Sequence, residues 1–374
     1  MSETILVTGG AGFIGSHLVD KLVADGHRVR VLDALDPQVH EGGQRPDYLN
    51  PQVDYTFASM SDDAALAACL EGVDVVVHFA ASVGVGQSMY AIEKYVESNT
   101  LGTSKLLDRL VNQGRGQIRK LVVASSMSVY GEGLYDCATC GLQAPGDRSI
   151  EQLEAGQWEP RCPSCGEALA PRPTDESKPL DPTSVYALTK YDQERLCVAI
   201  GKAYKLPVVA LRFFNVYGPR QALSNPYTGV AAIFSSRIKA GNAPLVYEDG
   251  QQRRDFVSVY DIVAAVQLVM EHAGADYRVF NVGSGHTVSV VELAELLIEL
   301  YGKQGELQPE IAGRFRQGDI RHCFADISAL RDLGFAPAIE LADGLRDLAA
   351  WADGQQAEDR FQAAQQELRN KGLA

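Results

Sequence analysis

Short apolar runs and longer amphipathic stretches alternate along the first half of the chain. The amphipathic stretches are residues 13–25, 62–71 and 93–113, and the apolar runs around them are TILVTG, RVRVLD, VDVVVHFAA and KLVVASS. Strands this apolar are typical of a parallel sheet that helices cover on both faces. The pattern therefore predicts an α/β fold with a doubly wound parallel sheet.

This alternation stops at residues 131–175, where Gly, Pro, Cys and charged residues leave no apolar period long enough for a core element. We interpret residues 132–175 as an insertion. After it the pattern predicts a strand, PVVALRFFNVYG, and helices near residues 184–203, 229–240, 258–272 and 289–301. We expect a first domain over residues 1–215, a smaller C-terminal lobe mainly over 216–350 with some segments returning to the first domain, and a polar tail over 351–374. The tail is predicted to be a frayed surface helix, and no function is assigned to it.

Charge and composition narrow the range of partners. The formal charge of −14 comes without a basic stripe, which argues against nucleic acid as a partner. No segment reaches the roughly 18 apolar residues of a membrane span. The chain starts MSETILVTGG and enters a strand without a signal peptide, so we expect a cytoplasmic protein. An anionic ligand would have to be held by a few placed arginines.

A glycine-rich turn follows the first predicted strand. Gly9, Gly12 and Gly15 lie in GGAGFIG, directly before a predicted helix. Such glycines allow the backbone to approach a pyrophosphate, which the helix N-terminus attracts. The turn therefore predicts a Rossmann-like dinucleotide site, the alternative being a merely tight turn. Asp33 ends the second strand, where a carboxylate would bind ribose hydroxyls and repel a 2′-phosphate, so NAD is favoured over NADP; a surface loop Asp is the alternative.

Three polar residues form a candidate catalytic set. Tyr186 and Lys190 are four residues apart in a predicted helix and therefore share one face. A phenol with a pKa near 10 is a weak base at neutral pH, and a neighbouring cation favours its ionised form. Alone, this spacing is often a helix-surface pair. Ser126, at the end of the strand KLVVASS, could orient a substrate oxygen and share its proton.

With these motifs in this order, the chain resembles the extended short-chain dehydrogenase/reductase family, except in 132–175 and the last twenty residues. The resemblance implies an NAD-dependent enzyme that acts on a nucleotide-diphosphate sugar, with Tyr186 rather than His78 as the base. It places Asn99 as a structural asparagine of the active site. The remaining cofactor-binding residues that it implies are Phe13, Ile14, Phe79, Ala80, Ala81 and Ser125.

The resemblance also implies substrate-binding residues. Asn215 is similar to a residue that contacts the sugar or its diphosphate, and the loop 82–89, with Ser82 and Val85, is expected to contact the sugar or to form mere backbone turns. Arg254, and Arg316 with Asp319, match positions that grip the nucleotide, and guanidinium groups suit phosphate oxygens. Ordinary surface ion pairs are the alternative for these arginines. The family often has an acidic residue near the adenine, where this chain has Ser59 and Met60.

The residues after Ser126 bear on the reaction. Dehydratases of the family carry an acid pair there and related decarboxylases usually a glutamate, whereas this chain has Met127 and Ser128. The resemblance therefore favours carbon-4 epimerisation through a transient 4-keto sugar. A thymidine-diphosphate 6-deoxyhexose is the first candidate substrate, L-rhamnose giving 6-deoxy-L-talose, and uridine-diphosphate hexoses or uronates stay open. A dehydratase or reductase is the nearest rival, and a non-catalytic NAD-binding scaffold a remote one.

Four of the seven cysteines form two Cys-x-x-Cys pairs inside the insertion. Cys137, Cys140, Cys162 and Cys165 suit a closed tetrahedral zinc site, which is structural because no position is open to water. Disulfides or idle thiols are the alternative. Since the insertion lies between Ser126 and Tyr186 in the sequence, the metal could pin a lid or wall over the sugar pocket. Family members often pair through the helices predicted at 93–113 and 184–203, so a homodimer is expected.

Overall fold

The computed structural model describes residues 2–113, 118–316 and 318–373. Its strands are β1 (Thr4–Thr8), β2 (Arg28–Asp33), β3 (Asp54–Phe57), β4 (Val75–His78), β5 (Lys120–Ser126), β6 (Leu134–Cys137), β7 (Gly141–Gln143), β8 (Ala170–Arg172), β9 (Val208–Phe213), β10 (Asn215–Tyr217), β11 (Leu245–Val246), β12 (Arg253–Arg254), β13 (Phe256–Ser258), β14 (Arg278–Val282), β15 (Val288–Ser289), β16 (Glu310–Ile311) and β17 (His322–Cys323).

The α-helices are α1 (Phe13–Ala24), α2 (Asp63–Leu70), α3 (Val85–Ser88), α4 (Ile92–Tyr95), α5 (Gly102–Asn112), α6 (Ile150–Glu154), α7 (Val185–Tyr204), α8 (Val230–Lys239), α9 (Val259–Glu271), α10 (Val290–Leu300), α11 (Ser328–Arg331), α12 (Leu341–Asp353) and α13 (Phe361–Asn370). A π-helix, Val96–Leu101, joins α4 to α5. In the described part of the chain, no helix has the length and apolar character needed to cross a membrane.

Seven parallel strands form the central sheet in the order β14-β9-β5-β4-β1-β2-β3. Alternate residues of each strand point to opposite faces, so each face has its own core. Ile5 and Val7 of β1 pack with α1 and α9, whereas Leu6 packs with α2, α5 and α7. This arrangement confirms the predicted Rossmann-like, doubly wound sheet.

The predicted strand PVVALRFFNVYG is two strands in the structure. β9 ends at Phe213 in the central sheet, and β10 pairs in parallel with β13 outside it. The break occurs at Phe214, whose amide donates to the Val282 carbonyl at 3.0 Å, while the Asn215 amide donates to the Asp255 carbonyl at 3.0 Å. This change of partner turns the chain from the sheet into the second lobe.

The second lobe has its own apolar core. α8, α10 and α12 supply it through residues such as Phe234, Leu293, Leu297 and Leu345. The segment after α12 ends in α13, where Leu368 is buried and approaches Gly86 of α3. This last segment is polar in composition, yet α13 is amphipathic and its apolar face packs on the rest of the chain.

Within residues 132–175, β6 pairs with both β7 and β8 in an antiparallel sheet. A small core of Tyr135, Cys137, Cys162 and Leu169 lies beside it. The insertion thus forms a compact unit attached to the chain just after the 3₁₀ turn Met127–Tyr130.

Candidate active site

A cleft of about 500 Å³ opens at the carboxyl ends of the sheet strands. This edge is where open parallel sheets bind their ligands. Most of the residues predicted from the sequence line it, namely Gly9, Gly12, Phe13, Ile14, Gly15, Asp33, Phe79, Ala80, Ala81, Ser82, Val85, Ser125, Ser126, Tyr186, Lys190 and Asn215. Ser59 and Met60, which stand where the family often has an acidic residue, line it as well.

The three glycines of the first turn differ in what surrounds them. Gly9 has φ +72°, and a Cβ there would lie 2.8 Å from the Ala80 amide nitrogen. A Cβ on Gly15 would lie 2.2 Å from the Gly9 carbonyl oxygen, so both positions need glycine for packing. A Cβ on Gly12 would meet only the Gly9 oxygen at 3.4 Å and would otherwise enter the cleft. Gly12 is therefore free of a packing requirement, and its small size fits a pyrophosphate at the N-terminus of α1.

Asp33 is fixed at the end of β2 by backbone donors. Its carboxylate accepts hydrogen bonds from the amides of Ala11 at 3.0 Å and Leu35 at 2.9 Å. His40 Nε2 lies 3.8 Å from the same carboxylate. Because a carboxylate has about four acceptor positions, Asp33 retains acceptor capacity toward ribose hydroxyls. His40 lines the cleft but carried no motif that would have identified it in the sequence.

Ser126, Tyr186 and Lys190 meet in the cleft between β5 and α7. The Ser126 Oγ accepts hydrogen bonds from the Ser128 amide at 3.2 Å and the Ser128 hydroxyl at 2.9 Å. Burial raises the pKa of the Tyr186 phenol, and a hydrogen bond with Ser126 opposes this shift. Burial also lowers the pKa of Lys190 to about 7, against the field of Glu194. The set can exchange a proton with a hydroxyl that is bound beside it.

A buried chain of hydrogen bonds leads from Lys190 to His78. An ammonium group only donates, so Lys190 Nζ, at 2.7 Å, donates to Gln193 Oε1. The Gln193 amide group then donates to Thr103 Oγ1 at 2.9 Å and lies 3.2 Å from His78 Nε2. Both ring nitrogens of His78 have hydroxyl partners, since Nε2 lies 2.9 Å from Thr103 Oγ1 and Nδ1 lies 2.7 Å from Thr8 Oγ1. Burial lowers the pKa of His78 to about 3, so the ring is neutral and acts as a structural element.

This buried histidine predicts an acid-sensitive stability. The pKa of His78 falls from 6.5 to about 3 on folding. Between these two pH values the imidazole is protonated in the unfolded chain and neutral in the folded chain. The contribution is fully present above pH 6.5 and is lost as the pH falls toward 3, by about 1.4 kcal/mol per pH unit. Denaturant unfolding of His78→Gln at pH 7.5 and 5.0 is expected to show a smaller pH dependence than the parent. The exposed His286→Gln serves as the control, and an unchanged slope in His78→Gln would contradict the assignment.

Asn99 lies in the π-helix behind the cleft and is fully buried. Its Oδ1 accepts from the Ser82 amide at 2.7 Å, and its Nδ2 donates to the Ser82 carbonyl at 3.1 Å and to Thr189 Oγ1 at 3.0 Å. It thereby ties the loop that carries Ser82 to α7, next to Lys190. These contacts suit the structural role predicted for Asn99.

The three charged residues predicted to grip the nucleotide are not among the residues that line the cleft. Arg254 donates to the carbonyls of Ile320 and Arg321. Arg316 pairs with Asp319 at 2.8 Å, and its guanidinium lies 4.5 Å from the Tyr247 ring centre. Arg254, Arg316 and Asp319 therefore lie together at one edge of the second lobe, outside the cleft.

Two buried amide oxygens in the cleft wall have no hydrogen-bond partner among the described residues. They are Asn215 Oδ1 and Gln221 Oε1. A buried polar atom without a partner is costly, so these two oxygens are available to accept hydrogen bonds from a polar ligand or from water in the cleft. Gln221 was not predicted, because it follows RFFNVYGPR without a pattern of its own.

Comparison with known proteins identifies the family. The sequence matches the NAD dependent epimerase/dehydratase family over residues 5–161 and 162–283. The chain belongs to this family. It is 37% identical over 352 residues to a dTDP-L-rhamnose 4-epimerase of Burkholderia thailandensis, covering 93% of this chain and 94% of that protein. The predicted resemblance to extended short-chain dehydrogenases is thereby confirmed, and the protein is an NAD-dependent enzyme.

Solved structures of other family members share its architecture. UDP-glucose 4-epimerase of Thermotoga maritima with UDP-glucose superimposes with a TM-score of 0.74 and 30% identity, covering 94% of this chain and 98% of that one. UDP-glucuronic acid 4-epimerase of Bacillus cereus, in complex with UDP-glucuronic acid and NAD, superimposes with a TM-score of 0.75. It is 26% identical, and the match covers 94% of this chain and 99% of that one. Nucleotide-sugar enzymes of the family thus bind NAD and their substrates within this fold.

The four cysteines of the insertion cluster at one point. Their sulfur atoms all lie within 4.8 Å of one another, with Cys137 and Cys165 3.5 Å apart. Four thiolates about 2.3 Å from a zinc ion would be separated by about 3.8 Å, so the donor set fits that ion. Among the described residues, none from 132–175 lines the cleft, and the lid or wall over the sugar pocket stays a prediction. The insertion packs beside the second lobe.

Proposed function

We propose that this protein epimerises carbon 4 of a nucleotide-diphosphate sugar through a transient 4-keto intermediate. One observation carries the proposal. Among the described residues that line the cleft, the carboxylates are Asp33 and Asp36, which lie at and just after the end of β2. Met127 and Ser128 follow Ser126 where a dehydratase needs an acid pair. Proton transfer beside the sugar is therefore left to Tyr186 and Ser126, which suffices for epimerisation.

The glycine turn and Asp33 would hold NAD, with the pyrophosphate over Gly12 and the adenosine ribose at Asp33. When bound, NAD supplies a hydride acceptor that also returns the hydride, so no net oxidation occurs. The chain's own residues hold the sugar and move the proton. The free acceptors of Asn215 and Gln221 support binding of polar sugar or diphosphate groups in the same cleft.

In the first half-reaction the Tyr186 phenolate takes the proton of the 4-hydroxyl as the carbon-bound hydrogen leaves with its electron pair. Ser126 orients the same oxygen, and protonated Lys190 stabilises the phenolate. The 4-keto sugar then turns in the pocket. In the second half-reaction Tyr186 returns its proton to the oxygen as the hydride adds to the opposite face. All atoms of the substrate are recovered in the epimer.

For the substrate we propose dTDP-L-rhamnose, with dTDP-6-deoxy-L-talose as its epimer. The support is the similarity to the B. thailandensis protein over most of both chains. The order of YGEG, the two-knuckle insertion, DPTSVYALTK and NPYTGVAAIFSSRIKAG resembles enzymes of that kind as well. UDP-glucose and UDP-glucuronic acid are the alternatives, because the similar solved structures carry them.

Incubating the purified protein with each of these three nucleotide sugars tests the function and ranks the substrates. We expect NMR to show a 4-epimer of one of them without added cofactor and without accumulation of NADH. A 6-deoxy-4-keto product would instead indicate a dehydratase. If no nucleotide sugar is converted although NAD is bound, the proposal fails in favour of a non-catalytic NAD-binding protein.

We further propose that Cys137, Cys140, Cys162 and Cys165 hold one structural zinc ion. Metal analysis of the purified protein is expected to give about one zinc per chain. Cys162→Ser is expected to lose most of this metal, because three thiolates leave the closed site incomplete. Cys323→Ser, which changes a buried thiol outside the cluster, is the matched control and should retain it. Equal zinc contents in the two variants would contradict the ligand assignment.

We also propose a homodimer formed through the helices α4, α5 and α7. Apolar side chains on these helices and on the π-helix between α4 and α5 are exposed in the single chain, at 52% for Ile92, 43% for Val96, 44% for Leu101 and 48% for Leu188. A second copy would cover them. Sedimentation analysis of the parent is expected to give twice the mass of one chain. For Leu188→Glu it is expected to give the mass of a single chain.

A further inference from the structure

The insertion, residues 132–175, makes contacts that the proposed catalytic mechanism does not involve. It binds the segment made of residues 313–316 and 318–322, which we call the nucleotide segment because it carries Arg316 and Asp319. We call each set of these contacts a grip. Arg254 holds the same segment from the other side through the carbonyls of Ile320 and Arg321. The role of this grip rests on the proposed nucleotide-sugar substrate, to which we add that Arg316 and Asp319 bind its nucleotide, as the family resemblance implies.

The first grip comes from the root of the insertion. Glu132 is 4% exposed, and its two carboxylate oxygens accept hydrogen bonds from the consecutive amides of Arg321 and His322, each at 2.7 Å. Tyr135 donates its hydroxyl hydrogen to the same carboxylate at 2.5 Å. A carboxylate that accepts two successive backbone N–H groups fixes the course of the chain there.

The second grip comes from the far end of the insertion. Glu159 pairs with Arg321 at 2.6 Å and with His322 at 2.9 Å. Arg148 donates to the Asp319 carbonyl at 2.8 Å and pairs at 2.8 Å with Glu248, which also binds Arg321. Arg321 and Glu248 are only 1% and 2% exposed, so their ion pair is weakly screened by salt, whereas Glu159 is half-exposed. The ring of Trp158 also lies against that of Phe315, with centres 6.5 Å apart.

The cysteine cluster joins these two gripping parts. Cys137 ends β6, the strand that follows Glu132, and Cys162 lies just after Glu159. The two pairs of cysteines belong to two turns, one between β6 and β7 and one that the Arg161–Ala168 bridge closes just before β8, and β6 pairs with both β7 and β8. A metal ion that bridges the two turns would fix the distance between Glu132 and Glu159, and thereby the position of the nucleotide segment.

We propose that the insertion is a brace that positions Arg316 and Asp319 for nucleotide binding, so that the four-cysteine cluster controls substrate affinity without touching the substrate. Glu132, Arg148 and Glu159 are its positioning residues. The brace bears on a part of the lobe remote from Tyr186 and the glycine turn, so its loss should change nucleotide binding rather than proton transfer or NAD retention.

Two variants of the NAD-bound protein test the brace. Cys140→Ser/Cys165→Ser removes two exposed cysteines, and Glu159→Ala removes a half-exposed carboxylate that grips Arg321. Each is expected to raise KM for the nucleotide sugar by about 10- to 100-fold, because small displacements of binding groups have effects of this size. We expect kcat and the NAD content to remain near those of the parent. Amide exchange in residues 318–322 should become faster. Glu151→Ala, which removes an exposed glutamate of the same insertion, is the matched control.

The outcomes separate the brace from the proposed function. Unchanged KM and unchanged exchange in both variants, with zinc lost from the cysteine variant, would overturn the brace. A fall in kcat at constant KM would overturn it too, because it would mean that the insertion acts on the catalytic set. If the parent converts no nucleotide sugar, the proposed function fails, and binding of free dTDP and UDP together with the exchange rates still decides the brace.

Discussion

Tyr186→Phe is expected to lower kcat for epimerisation by about 10³-fold, since loss of a positioned proton-transfer group has effects of 10² to 10⁴. The substitution removes one oxygen atom from a side chain that lines the cleft beside Ser126. Binding of NAD and of the nucleotide sugar should change little, because phenylalanine keeps the ring. Steady-state assays with the best substrate of the panel measure kcat, and copurifying NAD is measured after the protein is denatured.

Tyr191→Phe makes the same chemical change one residue beyond Lys190 on α7, outside the residues that line the cleft. It should retain the activity of the parent. If Tyr186→Phe retained more than a tenth of the parent kcat, Tyr186 would not be the proton-transfer residue. A loss of the same size in both variants would point to damage to α7 instead.

Gly12→Val is expected to lower NAD affinity by at least about 100-fold, or ~2.7 kcal/mol, while the NAD-free protein keeps most of its stability. Gly12 has φ −74° and ψ −179°, which valine adopts without strain, and its side chain would point into the cleft. The branched side chain would occupy the space proposed for the pyrophosphate. NAD binding is measured by calorimetry on protein freed of cofactor, and stability by denaturant unfolding.

Gly15→Ala provides the contrast. Its added methyl group would lie 2.2 Å from the Gly9 carbonyl oxygen, so we expect a loss of folding stability of about 1–3 kcal/mol from overpacking. Within one turn, Gly12 thus leaves space for the ligand, whereas Gly15 is needed for packing. If Gly12→Val bound NAD as the parent does, the pyrophosphate would not lie over Gly12.

Much of the first domain could be predicted because its signals are local. Apolar strands and amphipathic helices alternate with the periods of those elements, and chemically active residues follow the strands directly, as Gly9 follows β1 and Ser126 ends β5. The structure of the second lobe was harder to predict from the sequence. β14 completes the central sheet beside β9, but its five residues, RVFNV, carry no signal of the partner they pair with. The break at Phe214 likewise depends on distant Val282 and Asp255.

The candidate site shows the same division. The catalytic residues and the glycine turn stand in recognisable motifs, whereas Gln193 gains its role from partners far away in the sequence and His40 meets Asp33 from a segment without a motif. Gln193 is an ordinary polar residue of α7 until folding brings His78 and Thr103 beside it. Arg254 and Arg316 were predicted from family positions, yet the surrounding carbonyls and Asp319 that engage them are visible only in the structure.

The last twenty residues illustrate how composition can mislead. They read as a polar tail, yet Leu368 of α13 packs near Gly86, and the Tyr227 hydroxyl donates to Glu367 at 3.1 Å. Tyr227 lines the cleft and its hydroxyl lies 2.7 Å from that of Tyr90. The tail thus contacts the wall of the site. The buried face of α13 that allows this contact is formed by Ala364 and Leu368.

The central claim is that one carbon of the sugar is oxidised and then reduced, with Tyr186 moving the hydroxyl proton and NAD, when bound, accepting and returning the hydride. Epimerisation in D₂O, followed by NMR of substrate and product, tests it most directly. The account predicts inversion at carbon 4 with hydrogen, not deuterium, on every carbon of the product, since the hydride that leaves is the one that returns. Deuterium bound to carbon in the product would show proton removal from carbon instead and would contradict the account.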